Sequence, residues 1–93
     1  MEERVRYELI YTGRVQGVGF RYWVHSQAVK NRITGWARNN YNGSVTVQVQ
    51  GLRSQIEKFE YDVQTGYKYI RIDHVAKTRI PYDTDERRFE VRY

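Results

Sequence analysis

Ninety-three residues with no cysteine exclude disulfides, thiol catalysis and thiolate metal sites, and two isolated histidines give no ligand spacing for structural zinc. A net charge of +5 suits an anionic partner, a small phosphate-bearing molecule or a nucleic acid, but the basic residues are scattered from Arg4 to Arg92 rather than gathered in one block. Met1 to Arg4 lacks the apolar core of a signal peptide and no run approaches the ~20 apolar residues of a membrane span, so a cytoplasmic protein with no membrane partner is expected.

Val5, Tyr7, Leu9 and Tyr11 alternate with Arg6 and Glu8, the period of a half-buried strand. Thr12 to Arg21 follows, with glycines at 13, 17 and 19. Glycine permits positive φ and close approach of a ligand to the backbone, so successive N–H groups can converge on an anion. The run is neither a Walker loop nor a dinucleotide fingerprint: no Lys-Ser/Thr follows the last glycine, and the spacing is Gly-x3-Gly-x-Gly. Phe20, Val24 and Ala28 then recur every four residues, which predicts a helix from about Tyr22 to Asn31, with Asn31 as its C-cap. The helix start adds unpaired amides and a positive dipole end, and Arg21 adds a guanidinium suited to phosphate or carboxylate.

Ile33 to Asn40 reads as a second strand and Tyr41-Asn42-Gly43 as a hairpin turn. Val45, Val47 and Val49 alternate with polar residues as a third strand, closed by Gly51. Leu52, Ile56, Phe59 and Val63 mark a second helix; Ser54 and Glu57 have the spacing of a capping box, Glu57, Glu60 and Asp62 read as its solvated side, and Gly66 ends it. Tyr69 to Arg79 predicts a fourth strand whose alternation slips at Asp73-His74, as a bulge would make it. Pro81 to Glu86 is a polar loop, and Phe89, Val91 and Tyr93 form a last short strand.

The order predicts an α+β fold, a ferredoxin-like split βαβ (βαββαβ) sandwich with two helices on one face of an antiparallel sheet and a short extra C-terminal strand. No linker, repeat or low-complexity segment interrupts residues 1–93, so a single domain is expected. Asn39 lies near the end of the second strand. On its own it is either an ordinary polar residue before a turn or a carboxamide able to hold a water and a substrate oxygen together. His25 and Ser26 diverge on a helix, His74 marks the irregular strand, and Trp23, Trp36 and Arg38 read as packing or surface residues.

Taken whole, Gly13-Arg-Val-Gln-Gly-Val-Gly-Phe-Arg21 resembles the signature of the acylphosphatase family, and Gly35-Trp-Ala-Arg-Asn39, followed by Asn40-Tyr-Asn-Gly-Ser-Val45, resembles that family's second block at the usual distance. The resemblance covers nearly the whole chain. It implies hydrolysis of an acyl phosphate to carboxylate and inorganic phosphate, without metal or cofactor. Phosphate would be held by Arg21 and the backbone amides of Gln16, Gly17, Val18, Gly19 and Phe20, and the nucleophilic water would be oriented by Asn39. Free phosphate would be product and weak inhibitor. A monomer with no nucleic-acid partner is expected. The chain departs from the family pattern at Ala37, at Asn42, at Lys30-Asn31, and at Tyr67-Lys68-Tyr69-Ile70, where proline and small residues are usual.

An acyl phosphate has a carboxylate leaving group that needs little acid assistance, so positioning and charge stabilisation suffice. Two rival readings use the same pattern. One is an RNA-recognition module, for which Gly17-Val-Gly-Phe-Arg-Tyr-Trp23 has a superficial likeness; such modules need aromatics on a central strand, and the third strand offers Val, Thr and Gln. The other is a catalytically idle acylphosphatase-like domain serving as an interaction piece.

Overall fold

A computed structural model describes residues 2–93. The chain forms β1 (Arg4–Arg14), α1 (Phe20–Lys30), β2 (Thr34–Asn39), β3 (Val45–Leu52), α2 (Arg53–Gln64), β4 (Arg71–Ile80) and β5 (Phe89–Arg92). The strands make one sheet in the order β4-β1-β3-β2-β5. β1 to β4 pair antiparallel, as the βαββαβ reading requires, and the short β5 joins parallel to β2, so the complete sheet is mixed.

Alternation decides which face is buried. Leu9, Val47 and Ala37 share one cross-strand row, and Tyr11, Val45 and Asn39 share the next. These rows face Phe20, Val24 and Ala28 of α1 and Ile56, Phe59 and Val63 of α2, forming one core. Ala37 is fully buried, so a small side chain there suits close packing of α1 on β2.

The opposite sheet face is polar and partly roofed. The 81–88 segment carries the chain from the β4 edge across to β5. Arg6 holds it by two hydrogen bonds to the Glu86 carboxylate, at 3.0 and 3.1 Å, and also donates to Gln48 and Gln50. The Gln50 carboxamide pairs with the Asp83 backbone in both directions, at 2.7 and 2.9 Å. Arg6 is therefore buried although it belongs to the polar half of the strand, and its charge is matched by a fork of acceptors.

Two local expectations need correction. The capping box of Ser54 and Glu57 does not form, because α2 begins at Arg53, with Leu52 as N-cap. Gln55 Oε1 accepts the Leu52 N–H at 2.9 Å, and the Ser54 N–H and hydroxyl both donate to the Glu2 carboxylate, which complements the helix dipole. Asp62 is not on a solvated side. It sits in the seam between the helices, accepting from Asn31 at 3.0 Å and from Lys58 at 2.8 Å, with Lys30 at 3.6 Å. Burial raises its carboxyl pKa, but these hydrogen bonds, that from Asn31 foremost, outweigh it and hold the group below its usual range.

The slip in the fourth strand is a bulge: Thr12 faces His74 and Gly13 faces Ile72, which leaves Asp73 as the extra residue. Gly13 makes it possible. Its φ is +126°, and a Cβ there would lie 2.1 Å from the Arg71 carbonyl oxygen. Among the described residues, no helix is long and apolar enough to cross a membrane.

Candidate active site

The pairing of β1 with β3 ends at Tyr11 and Val45, and the chain then turns through residues 15–19 into α1. Val15 is buried and anchors the turn from below. Gly19, at φ +78°, is the left-handed N-cap of α1, and its carbonyl accepts the Trp23 N–H at 3.0 Å. The Gln16 side chain staples the turn to the β2–β3 hairpin, donating to the carbonyls of Asn40 at 2.7 Å and Ser44 at 2.8 Å. That hairpin is itself braced: Asn40 Nδ2 donates to the hydroxyls of Ser44 and Thr46, and the Ser44 N–H and hydroxyl donate to Asn42 Oδ1. Sequence reasoning gave Gln16 only a backbone role.

Among the described residues, the amides from Gln16 to Tyr22 have no protein acceptor. The first N–H groups of a helix have no intrahelical acceptor, and the glycine turn extends that run, an arrangement that can take an anion. A concavity of about 140 Å³ opens there, lined by Val15, Gly17, Gly19, Phe20, Arg21, Tyr22 and Asn39. It is well below the roughly 300–1,000 Å³ of sites that enclose a whole small molecule, so it matches one compact group. The fold thus brings Arg21 and Asn39 to one cavity with the glycine turn. The side chains of Gln16 and Val18 do not line it, Gln16 reaching to the hairpin and Val18 packing against the core, so any part these two residues take there falls to their backbone amides.

Arg21 is positioned by the end of the chain. Its Nη1 donates to the Arg92 carbonyl at 2.7 Å, and its guanidinium carbon lies 4.7 Å from the centre of the Tyr93 ring. Among the described residues, the remaining guanidinium hydrogens have no acceptor. Tyr22 and Tyr93 join hydroxyl to hydroxyl beside it, and this hydrogen bond raises the Tyr22 phenol above its usual pKa. Sequence reasoning saw only strand alternation in Arg92 and Tyr93.

Asn39 is the last residue of β2 and stands opposite Val45, hence on the helix-facing side of the sheet. Among the described residues, its Oδ1 is buried without a hydrogen-bond partner. A buried acceptor left in that state costs about 1–3 kcal/mol. The Tyr11 hydroxyl is also unpartnered, but it lies in the core, edge-on to Phe20, and does not line the concavity. Burial drives that phenol far above its usual pKa. A wider groove of about 460 Å³ adjoins the cavity, sharing Asn39 and lined by Arg38, Asn40, Tyr41 and Tyr93.

The remaining sequence candidates are structural. His25 packs edge-on to Phe89 at 5.9 Å, and Ser26 donates to the Trp23 carbonyl. Arg38 and Arg92 both stack on Trp36, at 5.3 and 4.7 Å.

Fold and site together define an α+β protein with a compact cavity lined by a glycine turn, one arginine and one carboxamide. The acylphosphatase family model matches residues 7–91. The acylphosphatase of Clostridium beijerinckii is 36% identical over 89 residues, covering 96% of this chain and 99% of that protein. The acylphosphatase of Oceanobacillus iheyensis is 39% identical over 82 residues, covering 87% and 90%. The crystal structure of the acylphosphatase from Bacillus subtilis superposes with a TM-score of 0.89 at 31% identity, covering 96% of this chain and 99% of that one. The chain belongs to the acylphosphatase family.

Proposed function

We propose that this protein hydrolyses acyl phosphates to a carboxylate and inorganic phosphate, without a metal ion, as a monomer acting on a small molecule. Family membership supports the activity. The observation that carries the mechanism is the buried, unpartnered Asn39 Oδ1 in the same small cavity as Arg21 and the glycine turn.

The phosphoryl oxygens take hydrogen bonds from the amides of Gln16 to Phe20 and from the free guanidinium hydrogens of Arg21. Asn39 Oδ1 accepts a hydrogen from water and aims its lone pair at phosphorus. The water oxygen attacks phosphorus, and the bond from phosphorus to the acyl oxygen breaks with its electrons leaving on the carboxylate. The water proton passes to the phosphate or to solvent. The acyl part extends toward the groove of Arg38, Tyr41 and Tyr93. Catalysis of this kind is positioning and charge stabilisation, which fixed dipoles and one cation supply.

Against a nucleic-acid role stands the polar sheet face. Its central strand presents Thr46, Gln48 and Gln50 rather than stacking aromatics, and the 81–88 segment is bound across it. The test is phosphate release from a simple acyl phosphate, with and without a chelator. Release unaffected by chelator, and inhibited by millimolar phosphate, supports the reading; no release by folded protein overturns it.

A further inference from the structure

We propose that Tyr67 is a positioning residue for the phosphate cradle: its hydroxyl fixes the Val18–Gly19 peptide so that the Gly19 N–H faces the anion. The inference rests on the cradle described under the proposed function. Tyr67 lies between α2 and β4.

The Tyr67 hydroxyl donates to the Val18 carbonyl oxygen. A trans peptide is planar, with its C=O and N–H on opposite sides. Holding the carbonyl toward Tyr67 therefore turns the Gly19 N–H away from Tyr67. Gly19 lines the cavity and Tyr67 does not, so away from Tyr67 is into the cavity.

This peptide needs a dedicated support. Rotation of the 18–19 peptide changes φ of Gly19, the torsion a glycine restricts least. A flip would remove one amide from the cradle and point a carbonyl toward an anion. Glycine also keeps the support in place, since a Cβ on Gly19 would lie 3.2 Å from the Tyr67 hydroxyl oxygen.

Tyr67 is itself fixed by both helices. Its ring stacks on Trp23 of α1 at 5.1 Å and 18°, and the Trp23 indole N–H donates to the Val63 carbonyl of α2 at 2.9 Å. Tyr69 packs edge-on against the same ring at 5.7 Å. The hydroxyl is thus referenced to the helix pair and not to a loose loop.

The test compares wild type, Tyr67→Phe and Tyr67→Leu by three readouts: the inhibition constant of inorganic phosphate, kcat and KM for an acyl phosphate, and Tm. Phe keeps the ring and removes only the hydroxyl. The expected result for Phe is a phosphate inhibition constant and KM raised about 2- to 12-fold, the range of one net hydrogen bond. kcat changes less, and Tm stays within about 5 °C. An unchanged inhibition constant in the Phe variant overturns the inference. So does a loss seen only with Leu, which would assign the effect to ring packing. Should wild type itself neither release phosphate nor respond to it, the reading of the cradle fails; should wild type respond and the Phe variant match it, this inference alone fails.

Discussion

Arg21→Gln removes the charge at the cavity while keeping a planar, hydrogen-bonding side chain. Two charge-assisted hydrogen bonds to a phosphoryl group contribute roughly 3–6 kcal/mol, at about 1.5–3 each. Expressed in the transition state, their loss lowers kcat/KM by about 10²–10⁴. The fold should tolerate the change, because the side chain gives up one bond to the Arg92 carbonyl and a stack on Tyr93, both at the surface. Together these are worth on the order of 1 kcal/mol, or about 4–8 °C in Tm for a domain of this size. The assay is initial phosphate release from an acyl phosphate over a range of concentrations, paired with thermal melts by circular dichroism. A folded variant that keeps more than about a tenth of wild-type kcat/KM, against that 10²-fold floor, would refute the reasoning.

Asn39→Val separates function from stability: it removes a buried unpartnered acceptor and extends the apolar row of Val45 and Tyr11, so Tm should hold or rise while kcat falls about 10²–10³-fold. A variant less stable than wild type, or still active, contradicts the role of Asn39. Gly13→Ala should disrupt the β1–β4 bulge and lower stability by more than about 2 kcal/mol in urea melts, since its Cβ would meet the Arg71 carbonyl oxygen at 2.1 Å. Asp62 makes stability depend on acid. Its carboxyl is held low by Asn31 and Lys58, so its contribution is present above the unfolded-chain value of about 3.9 and is lost as pH falls through the lower folded value. The stability gap between wild type and Asp62→Asn should be wide near pH 6 and close toward about pH 2; a gap independent of pH in melts would refute it.

The architecture was legible because Val5–Tyr11, Val45–Val49 and the two helical stripes each carry one period and one buried face. Even the Asp73 bulge showed as a slipped alternation. Asp62 was misread because its polarity suited a solvated face, and only the packing of α1 on α2 covers that face; the burial of Arg6 under the 81–88 segment was equally unannounced by strand alternation. At the site, glycine spacing announced the turn and the family resemblance pointed to Arg21 and Asn39. The Gln16 staple, the Arg92 carbonyl on Arg21 and the Tyr67 support were not legible, because each joins residues at least 24 positions apart through a backbone carbonyl, which no side-chain pattern records.

The central claim is that the amides of the glycine turn converge on one phosphate. Titration of ¹⁵N-labelled protein with inorganic phosphate tests it most directly. The account predicts that the amides of residues 16–20 shift together along one saturating curve, and that Arg21→Gln abolishes that curve. Shifts spread over the basic surface around Arg71, Arg87 and Arg88, with the turn unmoved, would contradict it.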